Sequence, residues 1–134
     1  MHDLVLGDLK IDVDESAPGR LQLHWTGTSN SADPVKGLMP FLTLQLARAA
    51  KEGVLLELHF EALSYFNSST IAAVIRFIHE ARSRKLKLAL FYNGSLRWQR
   101  LDFEAIAPLD TGDGLLRFER LDLGEPPESI KSKP

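Results

Sequence analysis

Apolar and polar residues alternate with period two in four stretches of the chain, the signature of strands buried on one face. Leu9, Ile11 and Val13 alternate with Lys10, Asp12 and Asp14, and Leu21, Leu23 and Trp25 with Gln22, His24 and Thr26. Ala17-Pro18-Gly19 supplies turn chemistry between them, so these two runs predict a hairpin. Leu56, Leu58 and Phe60 alternate with Glu57, His59 and Glu61, and Leu86, Leu88 and Leu90 with Lys87, Ala89 and Phe91. A short last strand is expected over residues 115–121, after Thr111-Gly112-Asp113-Gly114.

Helical spacing fills the intervals. Asp33-Pro34 offers an N-cap and an N1 proline to a helix that carries Val35, Leu38, Met39, Leu42 and Leu46 inward and ends at Gly53. Pro40 lies within it and either kinks the helix or moves its start to about Leu38. Ile71, Val74, Ile75 and Ile78 define a second helix, from about Ser69 to Arg84. Ser95 is placed to cap a third, through Trp98, Leu101, Phe103 and Ile106, which stops at Pro108.

Because the strands alternate instead of reading as continuous apolar runs, the sheet should have one covered face and one wet or partner-facing face. All helices then pack on the same side. Right-handed crossovers achieve this if parallel strands are added in one direction, whereas a doubly wound sheet buries both faces. The pattern therefore predicts an α/β fold with a mixed sheet, not doubly wound, opened by an N-terminal hairpin.

Length and composition fit one domain. With 134 residues, 44% of them hydrophobic and 25% charged, the chain can bury a core unaided. That domain is expected over 1–123, with 124–134, which has three prolines and no aromatic residue, as a disordered tail. The net charge of −2 and a pI near 6.1 argue against nucleic acid and anionic lipid as partners. There is no cysteine, hence no disulfide or thiolate chemistry. The N-terminus lacks the pattern of a secretory signal, and no stretch is apolar for the length of a membrane span. A soluble, cytoplasmic protein is expected.

The stretch with most chemical content joins the third run to the second helix. After Ser64-Tyr65-Phe66 come Asn67-Ser68-Ser69-Thr70, small polar residues of the kind that cap helices. They place several hydroxyls at a helix N-terminus, where free N–H groups and the dipole favour negative charge. Capping is the ordinary use of such residues, and taken alone the segment indicates no more. Glu57, His59 and Glu61, with His24 on a neighbouring strand, could form an acid/base or metal cluster; a solvated sheet face laced with weak ion pairs is the reading adopted. HExxH, GxSxG and a glycine-rich phosphate loop are all absent, so no catalytic residue, metal or cofactor is assigned. Arg82, Arg84, Lys85 and Lys87 complement the dipole at a helix end. Trp98 and Phe103 are assigned to the core, and Phe91 to the open face as a candidate contact.

This order of elements, with paired serines between a central strand and an amphipathic helix, resembles the STAS domain of bacterial anti-sigma-factor antagonists. Those domains carry a short apolar run, then Asp-Ser-Ser-Gly, then a helix; Tyr65-Phe66-Asn67-Ser68-Ser69-Thr70 matches it, with Asn67 for aspartate and Thr70 for glycine. The Asn variant resembles the phosphoprotein branch used in partner-switching regulators. The resemblance implies the STAS fold over roughly Leu9 to Leu121, with an N-terminal hairpin followed by right-handed βα units. It implies a non-enzymatic signalling protein that binds a cognate serine kinase and is dephosphorylated by a metal-dependent phosphatase. Ser68 is the implied phosphorylation site, with Ser69 and Thr70 as alternatives. Asn67, Ser68, Ser69 and Thr70, with Arg76 and His79 on the exposed side of the helix, form the implied partner-binding face. The alternatives are a non-switching scaffold or accessory subunit, with a homodimer through the open sheet face left open, and a small hydrolase or metal enzyme built on His24, Glu57, His59 and Glu61.

Overall fold

A computed structural model describes residues 3–124. The tail expected at 124–134 lies outside the described residues except for Gly124. The elements, in chain order, are β1 (Leu4–Leu6), β2 (Leu9–Asp14), β3 (Arg20–Ser29), α1 (Pro34–Glu52), β4 (Leu55–His59), β5 (Leu63–Phe66), α2 (Ser68–Ser83), β6 (Leu88–Asn93), α3 (Arg97–Ile106) and β7 (Leu116–Leu121). The sheet runs β1-β2-β3-β4-β6-β7, antiparallel through the first three strands and parallel from β3 onward. Parallel strands are thus added in one direction, as one-sided helix packing requires.

Alternation decides the layers. Leu21, Leu23, Leu56, Leu58, Leu88 and Leu90 are buried beneath Leu38, Leu42 and Leu46 of α1, Val74, Phe77 and Ile78 of α2, and Phe103 of α3. Phe103 carries α3 into a ring cluster with Phe60, Phe66 and Tyr92 at centroid distances of 5.0, 5.6 and 5.2 Å. The opposite face has no helix over it among the described residues.

Two strands lie beyond what the alternation indicates. β1 is a three-residue edge partner of β2, too short to carry a period. β5 continues the line of β4: β4 pairs with Arg20 to His24 of β3, and β5 with Gly27 to Ser29 after a register shift between Gly27 and Thr28. Gly27 makes that shift possible. It has φ of +83°, and a Cβ there would stand 2.0 Å from the Asp8 carbonyl oxygen.

Other boundaries differ for local reasons. α1 starts at Pro34 and runs through Pro40, so neither a start at Leu38 nor a break is found, and Asp33 makes no side-chain cap bond. The run that alternates from Leu86 becomes a strand only at Leu88. Lys85 adopts φ of +55°, its N–H reaches the Arg82 carbonyl and that of Leu86 reaches the Ala81 carbonyl, a C-terminal capping motif that uses up the first residues. Ser95 does not cap α3. Leu96 holds that position, while the Ser95 N–H bonds to Asn93 Oδ1. Leu101, one of the apolar residues whose spacing marks α3, is 53% exposed.

Candidate functional site

Two side-chain clusters merit a chemical reading, and the first is the junction between β5 and α2. Asn67 is the N-cap, in extended backbone conformation. Its Oδ1 accepts from the Thr70 N–H at 2.9 Å and from the Thr70 hydroxyl at 2.8 Å, and its amide nitrogen donates to the Ser31 carbonyl at 2.9 Å. The Asn67 N–H bonds to the Ser29 carbonyl, so the cap is fastened to the end of β3 as well as to its own helix. Thr70, offered as an alternative acceptor and as a contact residue, is fully buried, its hydroxyl 2.6 Å from that of Ser29. That corrects its assignment: Thr70 is part of the lock, not of the surface. Ser69 is half-buried. Ser68, at the first position of α2, is exposed, and its hydroxyl makes no hydrogen bond among the described residues.

Arg76 and His79 are exposed, as the helical stripe predicts. At 1.5 Å per residue they lie about 12 and 16 Å along the axis from Ser68. His79 shares the side of α2 that Ser68 occupies, while Arg76 is turned toward α1, where it lines a different groove. The six residues are therefore not one compact patch.

Sequence reasoning missed what adjoins Ser68 on its other side. Tyr65, Phe66, Asn67, Ser68 and Ile71 on one flank, with Trp98, Leu101 and Asp102 of α3 on the other, line a hollow of about 380 Å³. Tyr65 is 48% exposed beside Leu101, and Trp98, assigned to the core, is only half-buried, its ring 5.8 Å from that of Tyr65 and 5.1 Å from that of Phe66. Burial pushes the Asp102 carboxyl above the usual aspartate range. The available signal was the spacing of Trp98, Leu101 and Asp102, three or four residues apart on one helix side.

The second cluster is on the open sheet face. His59 lies between two carboxylates, Nε2 2.8 Å from Glu57 Oε1 and Nδ1 2.9 Å from Glu61 Oε2. Its ring stacks on Phe91 at 4.2 Å and stands 4.6 Å from that of His24, its register partner on β3. Gln22 donates to Glu57 Oε1 at 3.0 Å, and the Arg20 guanidinium lies 3.6 Å from Glu57 Oε2. The expected solvated face is therefore wrong at its centre, because Glu57 and His59 are 1% and 8% exposed under these neighbours. Burial pushes the His59 imidazole down, but the hydrogen bonds to Glu61 and Glu57 and their charges outweigh it and hold it above the ordinary histidine range. Burial raises Glu57, and the bonds from His59 and Gln22 outweigh that and leave it lowered. Of the residues of the hydrolase alternative, Glu57, His59 and Glu61 converge and hydrogen-bond to one another through His59, while His24 meets them only through its ring, its Nε2 lying 3.9 Å from Asp14 Oδ2. Among the described residues no group of three or more His, Asp or Glu is disposed to hold a metal ion.

A one-sided mixed sheet with a hairpin entry and a capped helix following its central strand is the STAS-like fold. Among solved structures the chain is similar to a Bacillus cell fate determinant, SpoIIAA, in its phosphorylated form, with a TM-score of 0.52 and 15% identity over 90% of this chain and 96% of that one. At that identity the likeness concerns the fold. No known family model and no curated protein sequence matches the chain. No helix among the described residues is long and apolar enough to cross a membrane.

Proposed function

We propose that this chain is a regulatory phosphoprotein of the anti-sigma-factor-antagonist type, a non-enzymatic cytoplasmic protein. It binds a cognate serine kinase while Ser68 is bare and releases it once Ser68 is phosphorylated; a metal-dependent phosphatase reverses the change. One observation carries this reading: of the three hydroxyls at the start of α2, Ser68 alone is exposed, and it opens onto an apolar hollow.

The magnitudes are adequate. Phosphorylation adds about −1.5 to −2 charges and three acceptor oxygens. At the start of α2 the dipole and the free N–H groups of the first turn accommodate that charge. A partner seated over Tyr65, Trp98 and Leu101 would have to desolvate it, and burying an unmatched charge is penalised by several kcal/mol. Moving a binding equilibrium from 99:1 to 1:99 takes about 5.5 kcal/mol. No refolding is needed, because Asn67 and Thr70 hold the junction whatever Ser68 carries.

The test is intact mass and kinase binding of the wild type, Ser68→Ala and Ser68→Asp, with the serine kinase encoded nearest to this gene. Gain of one phosphate by the wild type alone, with binding lost in Ser68→Asp, is the expected result. Binding indifferent to both substitutions would favour the non-switching scaffold instead.

A further inference from the structure

The outer surface of the helical layer carries a second feature, which the junction does not use. Between α1 and α2 lies a groove of about 730 Å³, lined along α1 from Val35 to Ala47 and along α2 from Arg76 to Arg84. Its two walls differ in kind. The α1 wall is mainly apolar, with Lys36 and Thr43 as its polar members: Pro40, Leu44 and Ala47 are exposed, Leu44 by 60%, and Val35 and Met39 are half-buried beside them. The α2 wall carries Arg76, Glu80 and Arg84, spaced at one turn.

The groove has a charge surplus. Lys36, Arg76 and Arg84 face a single carboxylate, Glu80, which Arg84 Nε already holds at 2.8 Å. The Lys36 and Arg76 side chains are both exposed and make no hydrogen bond or ion pair with any other described residue. An apolar strip about 18 Å long, from residue 35 to 47, bordered by unpaired cations, matches about three turns of a helix with an apolar stripe edged by carboxylates. A basic or uniformly apolar segment would leave Lys36 and Arg76 unmatched.

We propose that the α1–α2 groove is a docking site for an acidic amphipathic helix of another protein. It is separate from the junction, and an occupant there leaves Ser68 uncovered. Docking would bury Leu44 and Met39 in the apolar stripe of the incoming helix and pair its glutamates with Lys36 and Arg76. The proposal does not depend on the phosphorylation switch.

A synthetic amphipathic peptide of about four turns, with leucines on one side and glutamates at its edges, is the probe, beside the same peptide with lysine for glutamate. Binding to the full chain is followed by fluorescence anisotropy, and the site by backbone amide shifts. The acidic peptide is expected to saturate with shifts confined to residues 35–47 and 76–84, to weaken as salt rises, and to bind at least about tenfold tighter than its lysine counterpart. Leu44→Asp and the pair Lys36→Glu with Arg76→Glu should each reduce binding about tenfold or more, while Leu101→Asp and Ser68→Asp leave it unchanged. All of these positions are exposed, so thermal unfolding should show the variants folded. Equal binding of the two peptides, no saturable binding, or shifts centred on the junction would overturn the proposal. Loss on Ser68→Asp would show the groove to be part of the switch surface instead of a second site.

Discussion

Ser29 and Thr70, forty-one residues apart, share a buried hydrogen bond with their hydroxyl oxygens 2.6 Å apart. Thr70 gives its own proton to Asn67 Oδ1, so Ser29 is the donor of the pair. This bond couples the end of β3 to the first turn of α2 and fixes where Ser68 points. Thr70→Val keeps the shape but removes the acceptor that Ser29 needs and the second donor to Asn67. A buried hydroxyl left without a partner costs about 1–3 kcal/mol. Urea unfolding should therefore show Thr70→Val destabilised by that amount. A change below about 0.5 kcal/mol would mean that the bond is not a structural lock.

Asn67 uses both ends of its amide, and an aspartate cannot. Its oxygen serves Thr70 twice while its nitrogen serves the Ser31 carbonyl. Asn67→Asp would gain from the helix dipole, worth about 0.3–1 kcal/mol, but would set a carboxylate against a carbonyl oxygen and strip the latter of its donor, a loss of about 1–3 kcal/mol. The net expectation is a destabilisation of about 1 kcal/mol, measured by thermal or urea unfolding. Equal or greater stability would show that the amide nitrogen contributes nothing.

These two residues also show what was legible in the sequence. Capping chemistry named the Asn67 to Thr70 segment, and period-two alternation gave β2, β3, β4 and the one-sided sheet, because both signals are local. That Thr70 faces Ser29 depends on β5 pairing with the far end of β3, which follows a register shift at Gly27 that no periodicity records. Alternation also put Glu57 and His59 on the open face correctly. It could not show that Phe91, His24 and Arg20 would cover them, since that depends on strand neighbours. Lys85 misled the reading of β6 because a lysine rarely takes the left-handed capping role it has here.

The His59 cluster makes stability depend on pH in a direction fixed by the signs of its shifts. Both ring nitrogens of His59 face carboxylates, so the folded state favours the imidazolium and holds its proton beyond the unfolded value of 6.5. That contribution is complete below pH 6.5 and is lost as pH rises through the folded value. Glu57 is lowered from 4.5, so its contribution is complete above that pH and lost as pH falls through its folded value. From these two groups, stability should be highest between about pH 4.5 and 6.5 and decline on the alkaline side. His59→Gln should flatten the alkaline limb and, by removing the imidazolium between Glu57 and Glu61 while Arg20 stays beside Glu57, lower the maximum by about 3 kcal/mol. Urea midpoints across pH 4 to 9 measure both effects. An alkaline limb that persists in His59→Gln would assign the titration to another group.

The hollow beside Ser68 distinguishes a partner surface from a structural gap. Leu101 is 53% exposed and lies on α3, away from the capping bonds, so Leu101→Asp should change stability by no more than about 0.5 kcal/mol. If the kinase seats over Tyr65, Trp98 and Leu101, the same substitution places a carboxylate in the contact and should weaken kinase binding at least about tenfold with Ser68 bare. Trp98→Ala removes ring contacts to Tyr65 and Phe66 and should reduce both binding and stability, which makes Leu101→Asp the cleaner probe. Calorimetric titration of the kinase with the folded Leu101→Asp variant decides the matter. Wild-type affinity would place the partner elsewhere on α2, on the side that carries His79.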